Sequence, residues 1–105
     1  VVHVSKELHE VALLTVVTES LVENRLLEDL SACGVAGWTI TPARGVGPAN
    51  RRLSEIEGGN SKIEVLASRE VVEKVWEVLT SKYFPNYAVT AWQSQVLVSR
   101  FDRYS

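Results

Sequence analysis

Residues 41–62 read TPARGVGPANRRLSEIEGGNSK, a run that holds four of the chain's six glycines, two of its three prolines and three of its seven arginines. Proline and glycine at that density break helices and interior strands. Connections in compact domains mostly run about 4–6 residues, so a stretch this long points to a functional loop. The flanks must then supply every regular element, and at 105 residues they share one core.

Both flanks read as strand, helix, strand. Residues 10–18 (EVALLTVVT) are rich in β-branched side chains, with Leu14 and Val16 on one face and Leu13 and Val17 on the other. Residues 20–33 follow with helical spacing, where Val22, Leu26, Leu30 and Cys33 form one stripe beside Leu27. Ser20 and Glu23 fit a capping box, and Gly34 suits the left-handed residue that ends a helix. Residues 37–41 (GWTIT) predict a second strand. Beyond the loop, residues 62–67 alternate, with Ile63 and Val65 opposite Lys62 and Glu64. Ser68 predicts the cap of a second helix to about residue 82, with its stripe at Val72, Val75, Trp76, Leu79 and Tyr83. Arg69, Glu70, Glu73, Lys74 and Glu77 fall on its solvated face. A turn at FPN precedes residues 87–92 and 95–101, which predict one bent strand or two.

That order predicts an α+β fold, a ferredoxin-like βαββαβ sandwich with a four-stranded antiparallel sheet and two helices on one face. The strands are apolar on both faces, so the second face needs a cover. A second copy of the chain is the obvious one, which predicts a homo-oligomer.

The totals narrow the function. A net charge of -2 gives no general basic surplus for nucleic acid. Cys33 stands alone, so no intrachain disulfide forms; a cytoplasmic setting and a buried packing role are expected. No apolar run reaches the roughly 20 residues that span a bilayer, so no direct membrane insertion is expected. His3 and His9 read as solvated rather than as a metal pair. No Ser–His–Asp set, Cys–His pair or cluster of metal ligands stands out, and no Walker motif occurs, so the reading is not an enzyme and no metal is predicted. The loop itself carries glycines, which let a backbone approach a ligand, and Arg44, Arg51 and Arg52, whose forks suit phosphate oxygens. Those residues alone fit either a phosphorylated small molecule or a solvated basic loop. Trp76 reads as core; Trp38 and Trp92 read as core or subunit-interface residues.

In order and spacing, VVTE (16–19), GVAGWTI (34–40), IEVL (63–66), YFPNYA (83–88) and VLVSRF (96–101) resemble the PII-like signalling proteins, and most closely the branch that regulates sodium-dependent bicarbonate transporters. The likeness spans about residues 10–101. It implies one PII-like domain over residues 1–105, with 1–9 as an N-terminal extension and 42–61 as the family's T-loop. It implies a homotrimer whose sheets face inward, with an adenine nucleotide (AMP, cyclic AMP, ADP or ATP) held in the clefts between subunits. The loop would change shape with the nucleotide and touch a target protein, with a membrane bicarbonate transporter or another inorganic-carbon component as the expected target. Localisation would be cytoplasmic, with recruitment to the membrane by a transporter.

The resemblance also assigns residues. Gly45 and Gly47 match the glycine-rich start of the loop, and Asn50 and Arg52 match its phosphate-holding basic segment. Arg51 stands where relatives often carry an apolar residue, and Ala49 stands where the family has a second phosphate-binding arginine; Arg51 or Arg44 would take its place. Tyr87, Ala88 and Val89 match the segment whose backbone borders the nucleotide, with Val89 where relatives tend to have glycine. Arg100 matches a basic residue at the end of the last strand. Two further readings stay open: an interaction-only trimeric scaffold that has lost nucleotide sensing, and a carboxysome-associated PII-like sensor of bicarbonate and nucleotide. A copper-tolerance-type trimer of the same fold lacks support, since that family's Cys–Trp run is missing.

Overall fold

A computed structural model describes residues 8–45 and 59–99. The elements are β1 (His9–Glu19), a single 3-10 turn (Ser20–Val22), α1 (Glu23–Ala32), β2 (Thr39–Ala43), β3 (Asn60–Ala67), α2 (Arg69–Val78) and β4 (Thr90–Val98). The four strands form one antiparallel sheet in the order β2-β3-β1-β4, so the expected ferredoxin-like arrangement is what the chain adopts.

The sheet's alternation sorts its residues. Leu14 and Val16 of β1 pair with Val65 and Ile63 of β3, and all four are fully buried under the helices. Leu26 and Leu30 of α1 and Val72, Val75 and Leu79 from the second helical segment close that core. A large-to-small change at such a site costs about 2–5 kcal/mol, so these positions hold the sandwich together. Cys33 packs into the same core, where burial first, and the nearby Asp29 charge second, push its thiol pKa up. Its expected packing role fits this position.

Four local expectations change. Ser20 and Glu23 form no capping box, because Ser61 of β3 lies between them: the Ser20 and Ser61 hydroxyls are 2.9 Å apart, and Ser61 Oγ donates to Glu23 Oε1. The helix therefore starts by bonding to the sheet instead of to its own backbone. The second strand begins later than its apolar residues suggest, so Trp38 precedes β2. The second helix ends in a π turn (Leu79–Tyr83), in which the Phe84 N–H reaches the Leu79 carbonyl at 2.8 Å. Trp76 is only partly buried; its Nε1–H donates to Gln93 Oε1 of β4 at 2.6 Å, so an indole expected in the core sits at the sandwich's edge.

Other expectations stand. The Ser68 hydroxyl accepts from the Val71 N–H and caps α2. Gly34, with φ +104°, follows the end of α1. The last strand is single. His9, placed in the extension by its sequence, opens β1 opposite Val98. His3 lies outside the described residues.

The sheet's second face has no helix over it among the described residues. By register it carries Leu13 and Val17 of β1, Leu66 of β3, and Trp92 and Val96 of β4. Trp92 keeps 49% of its surface exposed and Trp38, just before β2, keeps 37%.

Candidate functional site

The antiparallel register brings four chain segments to one end of the sheet. Glu19 ends β1 opposite Asn60, which starts β3, and Ala43 ends β2 opposite the same Asn60. Val17 pairs with Thr90, so β4 starts at that end too. Arg44 and Gly45 leave from it and Gly59 returns to it, so both feet of the long loop share this end of the sheet with the segment 87–89, which leads into β4 at the opposite edge.

Backbone and side-chain bonds fix these feet. The Ser20 N–H donates to the Gly59 carbonyl at 3.0 Å. Gly59 has φ +73°, a left-handed conformation that side chains resist, so glycine is required there by the backbone. At Gly45 an added Cβ would meet nothing within 4 Å, so packing among the described residues makes no such demand. The Ser20–Ser61–Glu23 chain ties the loop's returning foot to the start of α1. A cleft of ≈ 800 Å³ opens here, lined among others by Glu23, Pro42, Arg44, Gly59 and Asn60.

The segment 87–89 is held from two sides. Arg25 of α1 donates to the Tyr87 hydroxyl, and the Tyr83 and Tyr87 rings lie 5.7 Å apart. Glu19 Oε2 accepts the Ala88 N–H at 3.1 Å. Val89 turns inward against the core, and its N–H donates to the Tyr87 carbonyl at 3.0 Å. The valine is thus explained by packing, in a place where the resemblance leads one to expect glycine.

Asn60 is an anomaly of this end, where the buried Thr18 hydroxyl also has no partner among the described residues. Asn60 is 4% exposed, and neither its Nδ2 nor its Oδ1 has a hydrogen-bond partner among the described residues. Burying an amide without partners costs about 1–3 kcal/mol or more, so such a group calls for a specific explanation.

A second hollow of ≈ 450 Å³ lies on the uncovered face, walled by Trp38, Leu13 and Leu66 with Thr39 and Glu64 as polar groups. Thr39 and Ala43 are four residues apart on one strand, about 13 Å. The hollow and the loop feet thus lie at the two ends of β2.

Of the residues singled out from sequence, Gly45, Tyr87, Ala88 and Val89 are gathered at this end of the sheet. Gly47, Asn50, Arg51, Arg52 and Arg100 lie outside the described residues. Sequence reasoning missed Glu19, Gly59, Asn60 and Ser61. Glu19 stood within the quoted VVTE stretch, but its partner Ala88 is 69 residues away. Among the described residues no group of three or more His, Cys, Asp or Glu could hold a metal ion. Nor is any helix there long and apolar enough to cross a membrane.

Comparison with known proteins agrees with this architecture. The chain is similar to a PII-like signalling protein from Thermus thermophilus, with 41% identity, a TM-score of 0.81, and coverage of 93% of this chain and 98% of that one. It shares its fold with CPII, a nitrogen regulatory PII-like protein from Thiomonas intermedia K12 whose structure holds ADP, AMP and bicarbonate. The identity there is 18% and the TM-score 0.83, over 92% of this chain and 95% of that one. CutA from Synechococcus elongatus PCC7942, at 17% identity and a TM-score of 0.68, covers 92% of this chain and 95% of its own and shares the fold more distantly. The family model described as nitrogen regulatory protein P-II matches residues 11–103, nearly the full chain, and the chain belongs to that family.

Proposed function

We propose that this PII-family regulatory protein acts as a homotrimer that binds an adenine nucleotide at its subunit clefts and sets the affinity of residues 42–61 for a target protein. The observation that carries this reading is the arrival of both loop feet and the 87–89 segment at one end of a sheet whose other face is apolar and has no helix over it among the described residues. Three copies packed on that face would bury Trp92, Leu66 and Val96, and would bring a neighbour's surface against each cleft. The Trp38 hollow offers a flat apolar wall with one hydroxyl and one carboxylate, which suits a purine. The loop feet lie about four strand residues away, on the side where the phosphates would extend.

Gly45, Gly47, Asn50, Arg51 and Arg52 would supply the loop's phosphate contacts, Tyr87, Ala88 and Val89 the backbone border, and Arg100 a further cation. No covalent step is needed: a ligand that favours one loop conformation by about 1–3 kcal/mol is enough to switch a partner. The target expected from the sequence is a membrane bicarbonate transporter or another inorganic-carbon component, reached from the cytoplasm.

A second reading adds bicarbonate as a co-ligand, and the observation that favours it is CPII, whose structures hold ADP together with bicarbonate on the same fold. One experiment addresses both. Thermal-shift and calorimetric titration of AMP, cyclic AMP, ADP and ATP, each with and without bicarbonate, should raise the melting temperature by mass action. Arg52→Ala should weaken the response. No shift and no heat with any nucleotide at millimolar concentration would overturn the nucleotide reading and leave the interaction-only scaffold. A nucleotide response indifferent to bicarbonate would remove the second reading alone.

A further inference from the structure

The Ala88 amide, at the loop's end of the sheet, is a backbone donor that an acidic side chain of the same chain already holds. Glu19 Oε2 accepts from it at 3.1 Å. A carboxylate on a backbone N–H is a charge-assisted bond of the kind an incoming oxyanion would make. Across the ladder from Glu19 stands Asn60. Paired residues of an antiparallel ladder point to the same face, with Cβ atoms about 4.5–5.5 Å apart. Asn60 Nδ2 is a buried donor with no partner among the described residues. One carboxylate therefore has two donors within reach of its side chain, and it satisfies only one of them.

We propose that Glu19 is a built-in stopper for an anion site at the Ala88 amide, and that Asn60 is the second berth to which it moves when an oxyanion arrives. The proposal rests on the nucleotide reading for the identity of the oxyanion, a phosphoryl group of the ligand. The unpartnered Asn60 then has a physical reason. Displacing Glu19 from Ala88 would otherwise strand a half-buried carboxylate, at considerable cost. With Asn60 Nδ2 waiting, the carboxylate exchanges one N–H donor for another while the phosphoryl oxygen takes the first. The Arg25–Tyr87 bond keeps the segment in place during the exchange, because it does not involve Glu19. The arrangement also discriminates by charge. Ligands lacking a phosphoryl group gain nothing at Ala88 and leave the stopper seated.

The test uses the full chain, the variants Glu19→Gln, Asn60→Ala and the double variant, and three probes: adenosine, ADP and inorganic pyrophosphate. Calorimetry gives affinities, and amide NMR follows the Ala88 signal. Glu19→Gln keeps the side chain's shape and removes its charge, so ADP and pyrophosphate should bind about tenfold more tightly, with adenosine unchanged. Asn60→Ala should weaken ADP and pyrophosphate several-fold in the wild-type background and have little effect in the Glu19→Gln background. A merely structural role gives no such coupling. Melting temperatures check that each variant folds, and the Asn60→Ala chain, having lost an unsatisfied buried amide, should not melt earlier.

Equal affinities for ADP across all variants would overturn the stopper and leave nucleotide binding standing. Weaker ADP and pyrophosphate binding in Glu19→Gln would overturn it as well, by making Glu19 a prop for the segment. A pyrophosphate gain in Glu19→Gln, with no response of any variant to adenosine and no advantage of ADP over pyrophosphate, would support the stopper and remove the adenine reading. No binding of any probe to any variant would remove both.

Discussion

The Tyr83 hydroxyl donates to Asp29 Oδ2, joining the π turn that ends the second helical segment to the first helix. Lys82 Nζ reaches the same oxygen at 2.9 Å. Tyr83 is fully buried, and burial together with the Asp29 bond holds its phenol far above the ordinary tyrosine range, so it stays a donor. Tyr83→Phe should cost about 1.5–3 kcal/mol in urea denaturation, the worth of a hydrogen bond to a charged acceptor. Asp29 gives the pH signature. Burial would raise its pKa, but the hydrogen bonds from Tyr83 and Lys82, with the charges of Lys82 and Arg25, outweigh burial and hold it below the usual aspartate value. A group whose folded pKa is depressed stabilises the fold above its unfolded pKa and loses that contribution as pH falls through the folded value. The stability gap between wild type and Asp29→Asn should thus be full at neutral pH and shrink below about pH 4.

The loop's two described feet should respond differently to the same change. Gly59→Ala places a Cβ on a residue with φ +73°, and since no described residue stands within 4 Å of that Cβ, the penalty expected is backbone strain. That amounts to about 1–2 kcal/mol. Gly45→Ala meets no contact among the described residues and has no positive φ to strain, so it should be neutral or gain a few tenths. Paired chemical denaturation curves decide it.

The uncovered sheet face should be sensitive to charge. Trp92→Glu puts a carboxylate where the proposed trimer would bury an indole, so light scattering coupled to gel filtration should report smaller species. Trp92 is half exposed in the single chain and supports no helix packing, so circular dichroism should remain unchanged. A trimer that survives Trp92→Glu would place the subunit contact elsewhere.

Arg25 should tune the site through Tyr87. Arg25→Ala removes the donor that fixes the Tyr87 hydroxyl. Nucleotide affinity measured by calorimetry should fall about fivefold, while the melting temperature changes little because Arg25 is exposed. Tyr87→Phe should reproduce the effect if the hydroxyl bond is its cause.

The fold was largely legible because periodicity reports burial. Leu14 and Val16, or Val72, Val75 and Leu79, can satisfy their spacing in only one kind of element, and all lie where that spacing puts them. The capping box failed because Ser20 and Glu23 satisfy the local rule, yet Ser61, 41 residues beyond Ser20, offers them a better partner. Trp76 misled for a related reason: its stripe position was right, but an indole N–H prefers an acceptor, and Gln93 provides one at the edge. The site was harder. Tyr87, Ala88 and Val89 came from likeness to a family, and no spacing could pair Glu19 with Ala88 or Asn60. Those pairings depend on the register, which is decided by the whole sheet.

The strand order has a consequence for cutting the chain. β1 sits between β3 and β4, eight residue pairs on one side and nine on the other, and forms no ladder with β2. Each half thus carries the hydrogen-bonding partner that the other lacks. A protease that nicks the chain between Arg44 and Gly59 would leave two fragments clasped like interlaced fingers, and separately produced halves should reassemble on mixing.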